Sequence, residues 1–485
     1  MYFTAENIIL LGSILLFISV LTSKTSLRLG IPTLLLFILI GILAGSEGLG
    51  GINFDNPKTA QFLGIVALNF ILFSGGMDTR KENVMPILTQ GVLLSTLGVL
   101  LTAVSVGVFV WLVSDRFSLI EGLLLGSIIS STDAAAIFPL FRREQSGLKH
   151  NLRPTLEFES GSNDPMAYFL TMGFLMLVQN PDQSILSLIP LFLRGFVLGG
   201  AAGIICGRLI VLIINNIKLD IEGLYLVLMI SLAFITQSLT ELIGGNGFLA
   251  VYVAGILVGN CNLVHKRDIL QSFEGFTWLM QIVMFLTLGL LVFPSQIFSV
   301  LGTGLVISVF LLLIARPFAV FVCTLFFKRS FRDKIFLSWG GLRGAAPIIF
   351  ATYPMVAGIP IANTLFHLVF FVSLTSVLLQ GSTLIRVAKK LNLTIPETLK
   401  KRYVLQFSNN KRSMLEEVQI ERNSPVIGKA IVHLKIPESV LIVMINRNGE
   451  YFTPNGSTVL QEDDLLFVLA ENTDKIRAFI EITRF

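Results

Sequence analysis

Charge is what this 485-residue chain has least of. Only 14% of its residues are charged and 53% are hydrophobic, with a mean hydropathy of +0.79; an ordinary soluble chain is about 25% charged. No soluble fold hides so much apolar surface, which excludes a soluble enzyme over most of the length. Cysteine is almost missing too. Cys206, Cys261 and Cys323 lie far apart, in or beside apolar stretches, which excludes a disulfide framework and a zinc site and leaves them as small hydrophobes. No second histidine stands at helical spacing from His367, so it reads as structural rather than as half of a metal pair. The first apolar run, Asn7 to Thr22, follows Glu6 instead of a basic region and shows no clear cleavage site. That predicts no cleaved signal peptide.

The few charges are unevenly placed. Residues 396–485 hold 12 basic and 12 acidic residues, so the net charge of +5 belongs entirely to the first 395. This divides the chain into a membrane part, 1–395, and a net-neutral tail, 396–485, and argues against nucleic acid as a partner. A membrane-spanning helix needs about 20 apolar residues. Thirteen spans are predicted: 6–22, 31–47, 60–77, 87–113, 119–141, 155–178, 185–214, 221–243, 246–261, 276–293, 298–327, 335–354 and 364–388. Alternate connecting loops carry 15 basic residues in one set, from Lys24 to Lys334, and two in the other, Lys58 and Arg116. The rich set belongs in the cytoplasm. The N-terminus is then outside and the tail inside, which requires an odd number of spans, as thirteen is.

Polar groups at bilayer depth are costly unless they face a partner or a cavity, so each is a functional candidate. In the fifth span Ser130-Ser131-Thr132-Asp133 fall about halfway across and suit an unwound stretch lining a cavity. In the sixth, Glu157, Glu159, Ser160, Asn163 and Asp164 precede Pro165. Asp164 lies roughly 14 Å into that span at 1.5 Å per residue. Ser160 shares its face, while Glu159 and Asn163 form a second pair to one side. Glu157, one turn in, reads as facing cytoplasmic water. In the twelfth span Gly340-Gly341-Leu342-Arg343-Gly344 sets an arginine among helix breakers. Arg343 is the expected ion-pair partner of Glu159, and Arg194, Arg208 and Arg316 read as snorkelling or packing residues. The fifth and twelfth spans run in opposite senses, the mark of an inverted-repeat transporter with its site where two broken helices cross. Hard carboxylate and carbonyl oxygens there suit a small desolvated cation, and the same carboxylate takes a proton instead.

On these residues the chain resembles the cation:proton antiporter superfamily, in its electroneutral sodium- or potassium-proton branch, over roughly residues 5–390. Glu159-Ser160-Gly161-Ser162-Asn163-Asp164 is similar to the family's Asn-Asp motif, Gly341-Leu342-Arg343-Gly344 to its arginine segment, and Thr132-Asp133 to the motif of its unwound helix. The resemblance implies that Asp164 carries cation and proton, and that Asp133, the Thr132 backbone and Ser160 help to hold a monovalent cation. It also implies that Asn163 replaces a second aspartate, and that Glu159 and Arg343 form a supporting ion pair. It further implies a homodimer in a bacterial plasma membrane, working by an elevator-like movement of a six-helix core, with no cofactor beyond the transported ions. Ala134 departs from the proline of many members, and Ser74 from an acidic residue of some. With Asn163 neutral, one cation at Asp164 displaces about one proton and the cycle moves no net charge.

In the tail, an apolar run from Leu441 to Ile445 leads through Asn446-Arg447-Asn448-Gly449 to Tyr451-Phe452, a hairpin signal. A second turn at Pro454-Asn455-Gly456 and a run from Leu465 to Leu469 complete a small α+β domain after the charged linker Lys400-Lys401-Arg402. Ser424-Pro425-Val426-Ile427-Gly428 and Pro454-Asn455-Gly456 resemble the TrkA-C (RCK C-terminal) pattern, which implies a regulatory role and a small anion such as cyclic di-AMP as ligand. Three other readings of the whole chain compete with the antiporter: a ligand-gated cation channel or efflux pore, a sodium-coupled organic-anion symporter, and an intramembrane aspartyl enzyme. The last leaves the two broken helices without a role.

Overall fold

The computed structural model describes residues 5–29, 33–133, 141, 146–396, 414–420, 424–434, 436–437, 439–447, 450–470, 475, 479–480 and 483. Residues 134–140 of the predicted fifth span, Ala134 among them, Arg142, Arg143 and the linker Lys400-Lys401-Arg402 lie outside them. The chain forms two compact units, Met1–Pro396 and Glu397–Phe485.

The first unit is helical. Its elements are α1 (Ala5–Leu29), α2 (Thr33–Ala44), α3 (Pro57–Asp78), α4 (Lys81–Val113), α5 (Leu119–Ser130), α6 (Leu152–Gln179) and α7 (Ile185–Asn216). They continue as α8 (Gly223–Leu242), α9 (Gly247–Asn260), α10 (Lys266–Leu290), α11 (Pro294–Cys323), α12 (Phe331–Trp339), α13 (Ala345–Ala357) and α14 (Ala362–Lys390). Seven of these are long and apolar enough to cross a membrane by length and composition. Shorter apolar helices and the polar-lined α6 supply the rest, and with α12 and α13 as halves of one pass the described residues make thirteen. Helix α10 begins ten residues before the predicted span, because its first turns, with Lys266, Arg267, Asp268 and Glu274, are too polar for a hydropathy window yet still helical.

Local chemistry places the helix ends. Ser118 starts α5 and Ser330 starts α12, each in a reciprocal capping box, with Glu121 and Asp333 respectively. The glycine-rich stretch of α7 is a packing surface, as expected. A side chain at Gly199 would meet the Asn246 carbonyl at 2.8 Å, and one at Gly203 the Ala250 carbonyl at 2.7 Å, so α7 and α9 approach backbone to backbone. Pro165 inside α6 has no N–H, which leaves the Gly161 carbonyl without its helical donor. The Pro165 carbonyl accepts a hydrogen bond from Asn246 Nδ2 at 2.8 Å. A π turn at Leu311–Ala315 in α11 directly precedes Arg316-Pro317 and absorbs the clash that proline makes with the preceding turn. Two short strands, β1 (Ser146–Leu148) and β2 (Thr394–Pro396), pair antiparallel, Ser146 opposite Pro396 and Leu148 opposite Thr394. Lys149 Nζ donates to the Asn392 carbonyl beside them at 3.0 Å.

The second unit is an antiparallel sheet of β3 (Met414–Gln419), β4 (Val440–Arg447), β5 (Glu450–Phe452) and β6 (Leu465–Ala470), in the order β3-β6-β4-β5. The hairpin read from the sequence joins β4 to β5, with Arg447 opposite Glu450 across the two turn residues. One face buries Val418, Ile442, Ile445, Leu466 and Val468 against Val426, Leu460 and Phe479. Asp464 is fully buried, and Arg447 holds it with two bonds, Nε to Oδ1 at 2.8 Å and Nη2 to Oδ2 at 2.7 Å.

Candidate functional site

Helix α5 ends at Ser130, and Ser131 turns extended, at φ −61° and ψ 143°. The chain then runs as non-helical backbone through Asp133. The twelfth pass breaks in the same way between α12 and α13, and the two breaks meet: Asp133 N donates to the Leu342 carbonyl at 2.7 Å. Unwound backbone in an apolar bundle must find partners, and here most of the freed groups do. Arg343 Nη1 donates to the carbonyls of Ser130 and Ser131, at 2.5 and 2.8 Å, setting a positive charge on the negative end of α5. Arg343 N donates to Ser376 Oγ at 3.0 Å, Ser376 Oγ donates to Gln380 Oε1, and Gln380 Nε2 donates to the Trp339 carbonyl at 2.9 Å. A methyl group at Gly344 would fall inside the side chain of Asp133, so the crossing requires glycine there.

Helix α6 presents its polar face to the first break. Ser131 Oγ donates to Asp164 Oδ1. Ser160 Oγ donates to the Thr132 carbonyl at 3.0 Å, and Asn163 Nδ2 donates to Thr132 Oγ1 at 2.5 Å. Asp164, Asn163, Thr132 and Ser131 are all buried, with Ser160 half-buried. The geometry therefore brings together five expected residues, Asp164, Asp133, Thr132, Ser160 and Asn163, around two crossed backbone breaks. Their carboxylate, carbonyl and hydroxyl oxygens are the donor set of a hard monovalent cation. Glu157 stays apart, exposed and paired with Arg153 at 2.9 Å.

One expectation is corrected. Glu159 pairs not with Arg343 but with Arg316 of α11, whose Nη1 lies 2.6 Å from Glu159 Oε1, with both side chains at most 2% exposed. The guanidinium lies flat on the second break, 2.6 Å from where a side chain on Gly341 would begin, and Nη2 reaches the Leu337 carbonyl at 3.4 Å. Arg343 is occupied by the α5 carbonyls instead. Arg316 was misread as a packing residue because α11 is apolar on every side, so no stripe marks its inner face. Ser131 was missed as a site residue because only the extended turn after Ser130 decides which of four consecutive polar side chains meets Asp164.

With this geometry in place, the comparison with known proteins is decisive. Residues 13–390 match the family model described as sodium/hydrogen exchanger, transmembrane. The chain belongs to the sodium/hydrogen exchanger family. Residues 415–483 of the exchanger match the TrkA-C domain. It is 39% identical over 473 residues to the K(+)/H(+) antiporter NhaP2 of Shewanella sp. (strain ANA-3), covering 96% of this chain and 81% of the relative. It is 37% identical over 470 residues to the K(+)/H(+) antiporter NhaP of Alkalimonas amylolytica, with the same coverage. Its fold is similar to the sodium proton antiporter MjNhaP1 from Methanocaldococcus jannaschii, at a TM-score of 0.68 and 24% identity over 80% of this chain and 99% of that one. The exchanger is a multi-pass membrane antiporter of monovalent cations and protons, and the channel and symporter readings fall away.

Proposed function

We propose that this exchanger trades potassium for protons, one for one, across a bacterial plasma membrane, with Asp164 as the group for which the two compete. The observation that carries the reading is the seat of Asp164: a buried carboxylate facing the unwound Ser131–Asp133 backbone, beside a neutral Asn163 already held by Thr132. A cation arriving there meets hard oxygens and one exchangeable proton, so Asp164 holds either but not both. Potassium is favoured because the relatives at 37–39% identity are K(+)/H(+) antiporters. Asp133, the Thr132 carbonyl and Ser160 complete the cation's oxygen shell, while Glu159 with Arg316 fixes α6 to α11 beside it. The basic loops place the N-terminus outside and the tail in the cytoplasm. The working form is a homodimer whose core moves the site between the two faces. The TrkA-C unit regulates exchange, and a small anion such as cyclic di-AMP is its proposed ligand on the strength of that domain match.

The test uses purified protein in proteoliposomes with an internal pH dye. Potassium, sodium and lithium are added in turn to wild type and Asp164→Asn, at zero and at displaced membrane voltage. Potassium-driven proton movement in wild type alone, insensitive to voltage, is the expected result. Exchange that persists in Asp164→Asn ends the proposal.

A further inference from the structure

We propose that Ser131 is a specificity-determining residue of the exchange site, its hydroxyl acting as a neutral ligand that exchanges the Asp164 carboxylate for the bound cation. The proposal rests on the reading of Asp164 as carrier and deepens it. Ser131 is fully buried, and its Oγ donates to Asp164 Oδ1. Its backbone is not free to adjust. The Ser131 carbonyl is held by Arg343 Nη1 at 2.8 Å, the preceding carbonyl by the same nitrogen, and Asp133 N by the Leu342 carbonyl at 2.7 Å. On a backbone held at three points only the Cα–Cβ torsion is left to place the oxygen, and the bond to Asp164 Oδ1 selects one of its three staggered positions.

The neighbouring hydroxyls have other duties. Ser127 and Ser130 bond back to the carbonyls of their own helix, Leu123 and Ser127, while Thr132 Oγ1 accepts a hydrogen bond from Asn163 Nδ2. A hydroxyl carries both a proton and lone pairs. Without a cation, Ser131 donates a hydrogen bond to the ionised carboxylate. With a cation on Asp164, a rotation about the Cβ–Oγ bond turns the proton away and offers a lone pair to the ion. Because the oxygen cannot follow ions of different radius, its contribution differs between potassium and sodium. No bond is made or broken beyond hydrogen bonds, and the transported proton remains the one on Asp164.

The experiment compares full-length wild type, Ser131→Ala, Ser131→Thr and Asp164→Asn in the same proteoliposomes, with potassium and sodium as the probes. Removing a hydroxyl from a charged partner weakens binding by about tenfold or more. Ser131→Ala is expected to raise KM by about that factor, unequally for the two ions, while kcat stays within about twofold. Ser131→Thr, which keeps the hydroxyl, restores KM and the wild-type ratio of the two. An unchanged KM in Ser131→Ala overturns the proposal, as does a fall in kcat with KM intact, which marks a purely structural serine. Failure of Ser131→Thr to restore KM overturns it too. Exchange by Asp164→Asn is a separate result: it removes the carrier reading on which this one stands.

Discussion

The pairing of Glu159 with Arg316 makes the sharpest energetic prediction, because it is the correction the structure imposes on the sequence. The two side chains are 1% and 2% exposed and 2.6 Å apart, so neither charge has water to fall back on. Removing one partner of such a pair costs about 3–5 kcal/mol, mostly from the stranded charge, whereas replacing both with apolar groups of like volume is often neutral. Glu159→Leu and Arg316→Met should therefore each destabilise by about 3–5 kcal/mol, and the double variant by less than either. The coupling energy, the sum of the two single costs less that of the double, should therefore exceed about 3 kcal/mol, above the usual range for residues in contact. Arg343 keeps its two carbonyl partners whatever stands at position 159, so the Glu159→Leu/Arg343→Met cycle should show the smaller coupling. Equilibrium unfolding in mixed micelles supplies the four corners of each cycle. A Glu159/Arg316 coupling below about 0.5 kcal/mol, the ordinary scatter of independent sites, or a larger one for Glu159/Arg343, would refute the reasoning.

Other consequences are as direct. Gly344→Ala places a methyl inside the Asp133 side chain, so the crossing must part; cation-driven proton release should fall at least tenfold in proteoliposomes while the protein still elutes as wild type. Arg447→Ala leaves the buried Asp464 carboxylate with only the Gln461 amide of its present side-chain donors and should cost about 1.5–3 kcal/mol in the tail sheet, read as faster protease cleavage within residues 414–470 of the full chain. Glu47, in the loop after α2, accepts bonds from the hydroxyl and the amide of Ser295, the latter at 2.7 Å, and these hold its carboxyl below the ordinary value. A carboxyl depressed by folding stabilises fully above its unfolded pKa and loses that contribution as pH falls through the lower folded value. Protection of the Ser295 amide from hydrogen exchange should thus persist as pH falls through the ordinary glutamate pKa of about 4.3 and fade only below it. Glu47→Gln should remove the pH dependence.

How far the sequence reached depends on which physical signal each feature leaves. The broken helices were legible because polar residues at bilayer depth have few bland explanations, and Ser130 to Asp133 and Gly340 to Gly344 are both such runs. The shared face of Ser160 and Asp164 followed from helical spacing alone, and both do meet the unwound segment. Partner choice was not legible. The sequence reading paired Glu159 with Arg343 and left Arg316 to packing, and the turn of α11 that selects Arg316 follows a π turn that no periodicity announces. The β1–β2 pair joins three-residue strands nearly 250 positions apart, too short and too distant to leave any pattern.

That small pair has a mechanical consequence. Strand β2 is the last described element of the first unit, and its exit at Pro396 lies opposite Ser146, while the partner strand is rooted in α6 at the far end, beyond Leu148. A pull on the chain beyond Pro396 is taken first by the backbone back to α14, and whatever β2 yields loads its bonds to β1 together in shear, instead of peeling them apart one at a time. Short as it is, the pair resists tension in its stronger direction, and the force it passes on arrives at the foot of the helix that carries Asp164.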